Sequence, residues 1–109
     1  MRVLFLPAAG ALLVMLMATP SQAGAQDAAA LYKKSCTACH GVAGKGDGPM
    51  GPGMKTPDMT NAQTMAEKTD AQLEAVITKG GKGMRAFSTL KPEEVKALVA
   101  YVRTFSAKK

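Results

Sequence analysis

Both cysteines of this 109-residue chain and its only histidine lie within five consecutive positions: Cys36, Cys39 and His40, in the segment SCTACHG. A Cys-x-x-Cys pair serves three chemistries: a redox dithiol, half of a metal site, or the covalent attachment of a porphyrin. Each chemistry requires a different fold around the pair. The rest of the sequence must therefore distinguish among them.

The first residues follow the three-part pattern of a secretory signal peptide. Arg2 precedes an apolar run over residues 8–18, and small residues in A-x-A spacing follow at Ala23 and Ala25. The run is short for a membrane-spanning helix, so an uncleaved anchor is the less favoured alternative. We predict a signal peptide over residues 1–25, cleaved after Ala23 or Ala25, and export of residues 26–109 to the periplasm.

The exported part, residues 26–109, is long enough for one domain. Because Arg2 is the only charged residue lost on cleavage, 13 basic and 8 acidic side chains remain, a net charge of +5. A domain of this size buries a limited fraction of its surface and usually needs disulfides, a metal or a large apolar cofactor to be stable.

Helix signals alternate with glycine-rich loops, and no segment has the pattern of a strand. Asp27 is a candidate N-cap for a helix that runs into Cys36. Capping-box spacing predicts two further helices, beginning at Thr60 and at Thr69, and Gly80 ends the second. Residues 41–57 contain six glycines and three prolines, which predicts an extended loop.

The clearest helix is the last, in the segment LKPEEVKALVAYVRTF. Pro92 stands at a first-turn position, and Glu93 and Glu94 follow it at the positive end of the helix dipole. One apolar stripe is formed by Val95, Leu98, Val99, Val102 and Phe105. The sequence thus predicts an all-α domain.

This helical pattern separates the possible chemistries of the cysteine pair. A thioredoxin-like dithiol follows a strand in a βαβ unit, and none is indicated here. A structural zinc site needs four ligands, but this chain offers three candidates in one cluster. A disulfide between Cys36 and Cys39 would close a very short loop and leave His40 unexplained. Haem attachment uses all three residues: the two thiols form thioethers, and His40 binds the iron as the fifth ligand.

Taken together, these segments resemble the class I c-type cytochromes, which are small electron carriers with one haem. The resemblance covers nearly all of residues 26–109 and is carried by CTACHGVAGKGDGPMGP, TPDMT, GGKGMRAF and the terminal helix with Tyr101. It implies the small cytochrome c fold, in which helices wrap around one covalently attached haem c. It also implies that the first and last helices cross near Ala28 and Tyr101.

A methionine is the predicted sixth ligand of the iron. There is no second histidine, lysine is protonated at neutral pH, and a soft thioether opposite histidine suits a c-type haem. Met65 lies in a predicted helix, while Met50, Met54 and Met59 are expected to pack in the long loop. Met84 stands alone in a glycine-rich loop, and the resemblance indicates the same residue.

The resemblance also implies roles around the iron. Pro49 is expected to accept, through its carbonyl, a hydrogen bond from the free N–H of His40. Arg85 stands where the family very often has proline, so the loop after Met84 loses a fixed φ angle. The side chains expected to pack around the haem are Leu73, Ile77, Phe87, Leu90, Leu98 and Val99.

The predicted function is one-electron transfer between redox proteins, without catalysis, by a periplasmic carrier that has no nucleic-acid partner and no membrane span after cleavage. The alternatives are a haem subunit of a dehydrogenase or oxidase complex, a gas-binding haem module with a labile sixth ligand, and a copper(I) carrier that uses the methionines. Five basic residues are expected to border the haem and to favour an acidic docking surface on the partner: Lys45, Lys55, Lys79, Lys82 and Arg85.

Overall fold

A computed structural model describes residues 23–107 together with residues 10, 14 and 15, with the side chains of the first helix described from residue 27 onward. These residues form five α-helices and no named strand. The helices are α1 (Ala23–Ser35), α2 (Thr37–His40), α3 (Ala62–Ala66), α4 (Asp70–Lys79) and α5 (Pro92–Ala107). The all-α prediction is confirmed, and the segment 41–57 is irregular as expected.

The predicted signal peptide, residues 1–25, lies almost entirely outside the described residues and stays a prediction. Among the helices that are described, none combines the length and the apolar character needed to cross a membrane.

Local sequence signals define both ends of α4. The backbone N–H of Gln72 donates to the Thr69 hydroxyl at 3.1 Å, and the N–H of Thr69 donates to the Gln72 side chain at 2.9 Å. This reciprocal capping box satisfies two donors that the helix cannot satisfy internally. Gly80 ends the helix with a φ of 70°, a conformation that favours glycine.

The terminal helix α5 follows its predicted pattern. It begins at Pro92, and the carboxylate of Glu94 accepts a 2.9 Å hydrogen bond from the backbone N–H of Lys91. This bond satisfies a free donor although Lys91 is itself a poor N-cap. All five residues of the predicted stripe are buried: Val95, Leu98, Val99, Val102 and Phe105.

Two predicted helix starts are wrong. The N-cap of α3 is Asn61 rather than Thr60, because Asp58 binds both the N–H and the hydroxyl of Thr60, at 2.8 and 2.6 Å. The Thr60 hydroxyl bond also lowers the pKa of Asp58. In addition, α1 begins at Ala23, so that Asp27 lies inside the helix and does not cap it.

The core lies where α1 packs against α5. Ala28 and Tyr32 of α1 are each 2% exposed. The Tyr32 ring lies 5.2 Å from the rings of both Tyr101 and Phe105, and these two rings are 5.3 Å apart. Tilted rings at these distances attract each other beyond the effect of simple burial. The aromatic cluster therefore fixes α1 on α5, as the predicted crossing requires.

A single arginine connects α5 to the junction between α3 and α4. The Arg103 guanidinium donates to the Asp70 carboxylate at 2.6 Å, and to the carbonyls of Met65 at 3.2 Å and Lys68 at 2.7 Å. The two carbonyls lie where α3 ends, and Asp70 opens α4. Arg103 thereby satisfies the Lys68 carbonyl, adds a second donor to the Met65 carbonyl, and holds three helices in a fixed relation. No pattern in the sequence had indicated this role for Arg103.

Candidate haem-binding site

One helical turn, α2, carries the predicted haem-attachment residues. The backbone N–H of Cys36 donates to the backbone carbonyl of Tyr32, and the N–H of His40 donates to the backbone carbonyl of Cys36, both at 2.9 Å. These bonds continue the helical hydrogen-bond pattern from α1 into α2, so Cys36 and His40 stand one turn apart on the same side. Both Cys36 and Cys39 are free thiols.

The glycine-rich loop folds back under α2 and holds it in place. The amides of Gly46, Gly48 and Met50 donate to the carbonyls of His40, Cys39 and Ala38, at 2.9, 3.2 and 2.8 Å. These three carbonyls have no partner within so short a helix, and the loop supplies one for each.

Glycine permits this close approach. A Cβ at Gly48 would overlap the carbonyl oxygens of Thr37 and Ala38, and a Cβ at Gly51 would overlap the carbonyl oxygen of Cys39. Larger residues at these two positions would push the loop away from α2.

An apolar cleft opens beside this turn. Cys36 and His40 line one part of it, and Met84 lines another. Of the six predicted packing residues, five line the cleft: Leu73, Ile77, Phe87, Leu90 and Leu98. Val99 is 2% exposed but is buried elsewhere in the core. Five further residues line the cleft although the sequence did not indicate them: Leu31, Tyr32, Ser35, Val76 and Val102. Tyr32 lies one helical turn before Cys36, and this spacing could have indicated its place.

Met84 is held by a tight turn that follows α4. The N–H of Met84 donates to the Gly81 carbonyl, and the N–H of Gly81 donates to the Met84 carbonyl, both at 3.0 Å. The two residues between them, Lys82 and Gly83, have φ angles of 50° and 89°. The turn restrains the backbone on the N-terminal side of Met84, whose half-buried side chain lines the cleft.

The other methionines take different positions. Met59 also lines the cleft, and Met65 is buried in the core cluster with Tyr32. Met50 and Met54 are 59% and 45% exposed and do not line the cleft, contrary to the packing expected of them. The candidates for the sixth iron ligand are thus reduced to Met59 and Met84.

Burial sets the protonation of the cleft's polar groups. It raises the pKa of the Cys36 thiol to about 11, so this cysteine is not the reactive thiolate that a redox dithiol needs. It lowers the pKa of His40, which leaves the imidazole neutral and able to bind a metal through a lone pair. In the part of the chain that the structure describes, no group of three His, Cys, Asp or Glu residues could hold a bare metal ion.

The imidazole of His40 has one unsatisfied buried nitrogen. Among the described residues, Nδ1 has no hydrogen-bond partner, and the predicted bond to the Pro49 carbonyl is not formed. Gly48 and Met50, on either side of Pro49, are both bonded to α2, so the loop already lies against this helix. The role of Pro49 stays a prediction.

These features fit a covalently attached haem. His40, which has an orphaned ring nitrogen, the Cys36 thiol and the Met84 thioether line an apolar cleft. Cys39 carries the second free thiol beside them but is not part of the cleft lining. Iron would bind one ring nitrogen of His40 through its lone pair, and the other nitrogen would carry the proton that the Pro49 carbonyl is predicted to accept. The attachment of haem to Cys36 and Cys39, with His40 and Met84 as axial ligands, remains a prediction for the loaded protein.

An all-α domain with a Cys-x-x-Cys-His turn beside an apolar cleft defines the class of c-type cytochromes, the electron-transfer haem proteins. Within that class, residues 23–102 match the family described as cytochrome C oxidase, cbb3-type, subunit III, and the chain belongs to this family. The resemblance stated from the sequence is thereby confirmed.

The chain is also similar to two solved structures. It is 36% identical to the c-type cytochrome KustC0563, with a TM-score of 0.67, over 72% of this chain and 95% of that one. A tyrosine-to-phenylalanine mutant of that protein gives the same identity and TM-score, with 98% of its chain covered. None of the curated proteins matches significantly.

Proposed function

We propose that residues 26–109 form a periplasmic electron carrier that holds one haem c and exchanges single electrons between redox proteins. When bound, the haem supplies an iron that alternates between the ferrous and ferric states. The observation that carries the proposal is the placement of Cys36, His40 and Met84 around a single apolar cleft. Haem attached there would have two protein ligands, which leaves no open position for substrate chemistry.

The chain's own residues would perform distinct tasks. Cys36 and Cys39 would anchor the haem through thioethers, and the loop under α2 holds the backbone of His40 in place. The apolar side chains of α4, α5 and the Met84 loop exclude water from the cleft. A rigid and dry site changes little between oxidation states, which favours rapid electron exchange.

A redox partner with an acidic docking surface fits the charge of this chain. All five basic residues predicted to border the haem are exposed: Lys45, Lys55, Lys79, Lys82 and Arg85. Lys82 is one of the two residues that form the turn before Met84, which places its charge beside the proposed ligand. Opposite charge on a partner would speed the encounter and orient the complex.

A second candidate role is that of a haem subunit within an oxidase complex. It is favoured by the name of the matching family, which describes subunit III of a cbb3-type oxidase. The two roles differ in whether the exported protein is purified alone or together with other chains.

The experiment is expression of the full chain in a bacterium that matures c-type cytochromes, followed by fractionation. We expect periplasmic protein that has lost the signal peptide, a mass increased by one haem, and a low-spin absorption spectrum. Cys36→Ala with Cys39→Ala is the matched control and should abolish covalent attachment. A wild-type protein without bound haem would contradict the proposal. A high-spin spectrum would instead favour the gas-binding alternative.

A further inference from the structure

Arg85 lies between the proposed ligand Met84 and the cleft residue Phe87. Its guanidinium carbon lies 5.0 Å from the centre of the Phe87 ring. This distance is within the range at which a cation is attracted to an aromatic ring. Phe87 also lines the cleft, so the charge of Arg85 is held against a residue of the cleft wall.

The backbone on either side of this contact is fixed. The N–H of Phe87 donates to the carbonyl of Ile77 at 2.9 Å, which ties the loop to the last turns of α4. On the other side, Met84 is held by its two bonds to Gly81. The backbone is therefore fixed at Phe87 and at the tight turn that holds Met84.

The stretch between these two fixed points has no comparable restraint. Among the hydrogen bonds of the described residues, none is donated by the backbone N–H of Arg85 or Ala86. Both residues are exposed. A movement of Met84 away from the cleft would thus meet little resistance from the backbone on its C-terminal side. Besides close packing of this backbone against Gly80, the side-chain contact of Arg85 with Phe87 restrains it there.

We propose that Arg85 is a positioning residue that keeps Met84 on the iron by holding the loop against Phe87. The contact restrains the loop at the position where the resemblance leads one to expect the fixed φ angle of proline. This inference rests on the proposed function, because it takes Met84 as the sixth ligand. It deepens that proposal by naming what resists dissociation of the ligand.

Binding of imidazole, in its neutral form, to the ferric holoprotein measures this resistance. Imidazole can coordinate the iron only when Met84 has left it, so its apparent affinity is proportional to the population in which the loop is open. A cation–π contact at an exposed site should change that population about 2- to 5-fold. We therefore expect Arg85→Gln to bind imidazole about 2- to 5-fold more tightly than the wild type.

A double-mutant cycle with Phe87→Leu isolates the contact. Leucine keeps an apolar side chain in the cleft but removes the ring, so Arg85→Gln should have no further effect in that background. Arg85→Lys retains a cation and should keep most of the restraint, a test that holds even if Phe87→Leu does not fold. Lys96→Gln removes the same charge from α5, away from the cleft lining, and should leave the affinity unchanged.

Equal effects of Arg85→Gln with and without the Phe87 ring would overturn the inference, as would an unchanged imidazole affinity in Arg85→Gln itself. Either result leaves the proposed function intact as long as the wild-type spectrum is low-spin and Met84→Ala abolishes it. If Met84→Ala kept the low-spin spectrum, the assignment of Met84 as the iron ligand would be wrong instead.

Discussion

The hydroxyl of Tyr32 donates a 2.6 Å hydrogen bond to the carbonyl of Gly41, the residue directly after the proposed iron ligand His40. The bond joins the buried face of α1 to the loop that leaves α2. It therefore couples the aromatic cluster of the core to the position of His40. Both Tyr32 and Gly41 are buried, so water cannot replace the bond if it is lost.

Tyr32→Phe should destabilise the holoprotein by about 0.5–1.5 kcal/mol, because it keeps the ring but removes the shorter of the two hydrogen bonds to the Gly41 carbonyl and leaves only the 3.2 Å bond from the N–H of Gly44. Denaturant unfolding of the haem-loaded protein measures the change. Tyr101→Phe is the matched control: its ring contacts both Tyr32 and Phe105, but its hydroxyl bonds to none of the described residues. Equal losses in the two variants would show that the Gly41 bond contributes nothing.

The same tyrosine should make the protein less stable at alkaline pH. Burial raises the pKa of Tyr32 above its ordinary value of 10.0. Above pH 10.0, the unfolded chain ionises this tyrosine while the folded protein keeps it protonated. The free energy of unfolding should then fall as the pH rises. The difference in the free energy of unfolding between the wild type and Tyr32→Phe should therefore decrease as the pH rises, whereas the difference between the wild type and Tyr101→Phe should not. A parallel decline in all three proteins would assign it to other groups.

Met84→Ala should open the sixth position of the iron. We expect a change from a low-spin to a high-spin spectrum, ready binding of external ligands and a lower reduction potential, since a thioether ligand favours ferrous iron. Met59→Ala is the matched variant, because Met59 also lines the cleft. It should stay low-spin. The reverse pattern, with Met59→Ala losing the low-spin spectrum, would make Met59 the ligand.

Arg103→Lys should lower the stability of the whole domain by about 1–3 kcal/mol, because an ammonium group cannot reach three acceptors in the fixed geometry of a guanidinium. For a domain of this size, each kcal/mol lowers the Tm by about 4–8 °C. Asp70→Asn separates the contributions. The Asp70 side chain is 68% exposed, so loss of this ion pair alone should cost at most about 1 kcal/mol. An equally large loss in both variants would place the stabilisation in the ion pair rather than in the two carbonyl bonds.

Electron transfer with an acidic partner should slow steeply between low and physiological ionic strength, because screening limits the reach of surface charge to about 8 Å at 0.15 M salt. The proposed docking charges are Lys45, Lys55, Lys79, Lys82 and Arg85, all of them exposed. Lys82→Gln should weaken the salt dependence, whereas Lys33→Gln, on the exposed face of α1, should not. A rate that does not depend on salt would indicate docking through apolar contacts.

Short-range patterns were predicted correctly because their partners lie within a few residues of each other. The capping box of Thr69 and Gln72, the start of α5 at Pro92 and its buried stripe all depend on helical spacing. The cysteines and the histidine of α2 carry their chemistry in the same way, since one turn of helix brings them together. The family was therefore evident from the sequence.

Local competition limited the prediction at the start of α3. Thr60 has capping-box spacing, but its N–H and its hydroxyl both donate to the carboxylate of Asp58. The N-cap of the helix is therefore Asn61. Both arrangements are compatible with the sequence. Only the geometry of the folded chain decides which acceptor is the nearer.

The sequence by itself determined that the domain is helical and where α4 and α5 begin, and it predicted the haem-attachment turn and Met84 as the favoured ligand. Tertiary structure decided which methionines line the cleft, and it joined Tyr32 to Gly41, Arg103 to the α3–α4 junction and Arg85 to Phe87. The first two of these connections cross between elements that approach each other only when the core closes. The third lies within one loop, but its geometry depends on where the bond to Ile77 holds the Phe87 ring. Helical periodicity contains no information about such distances, because they are fixed by packing.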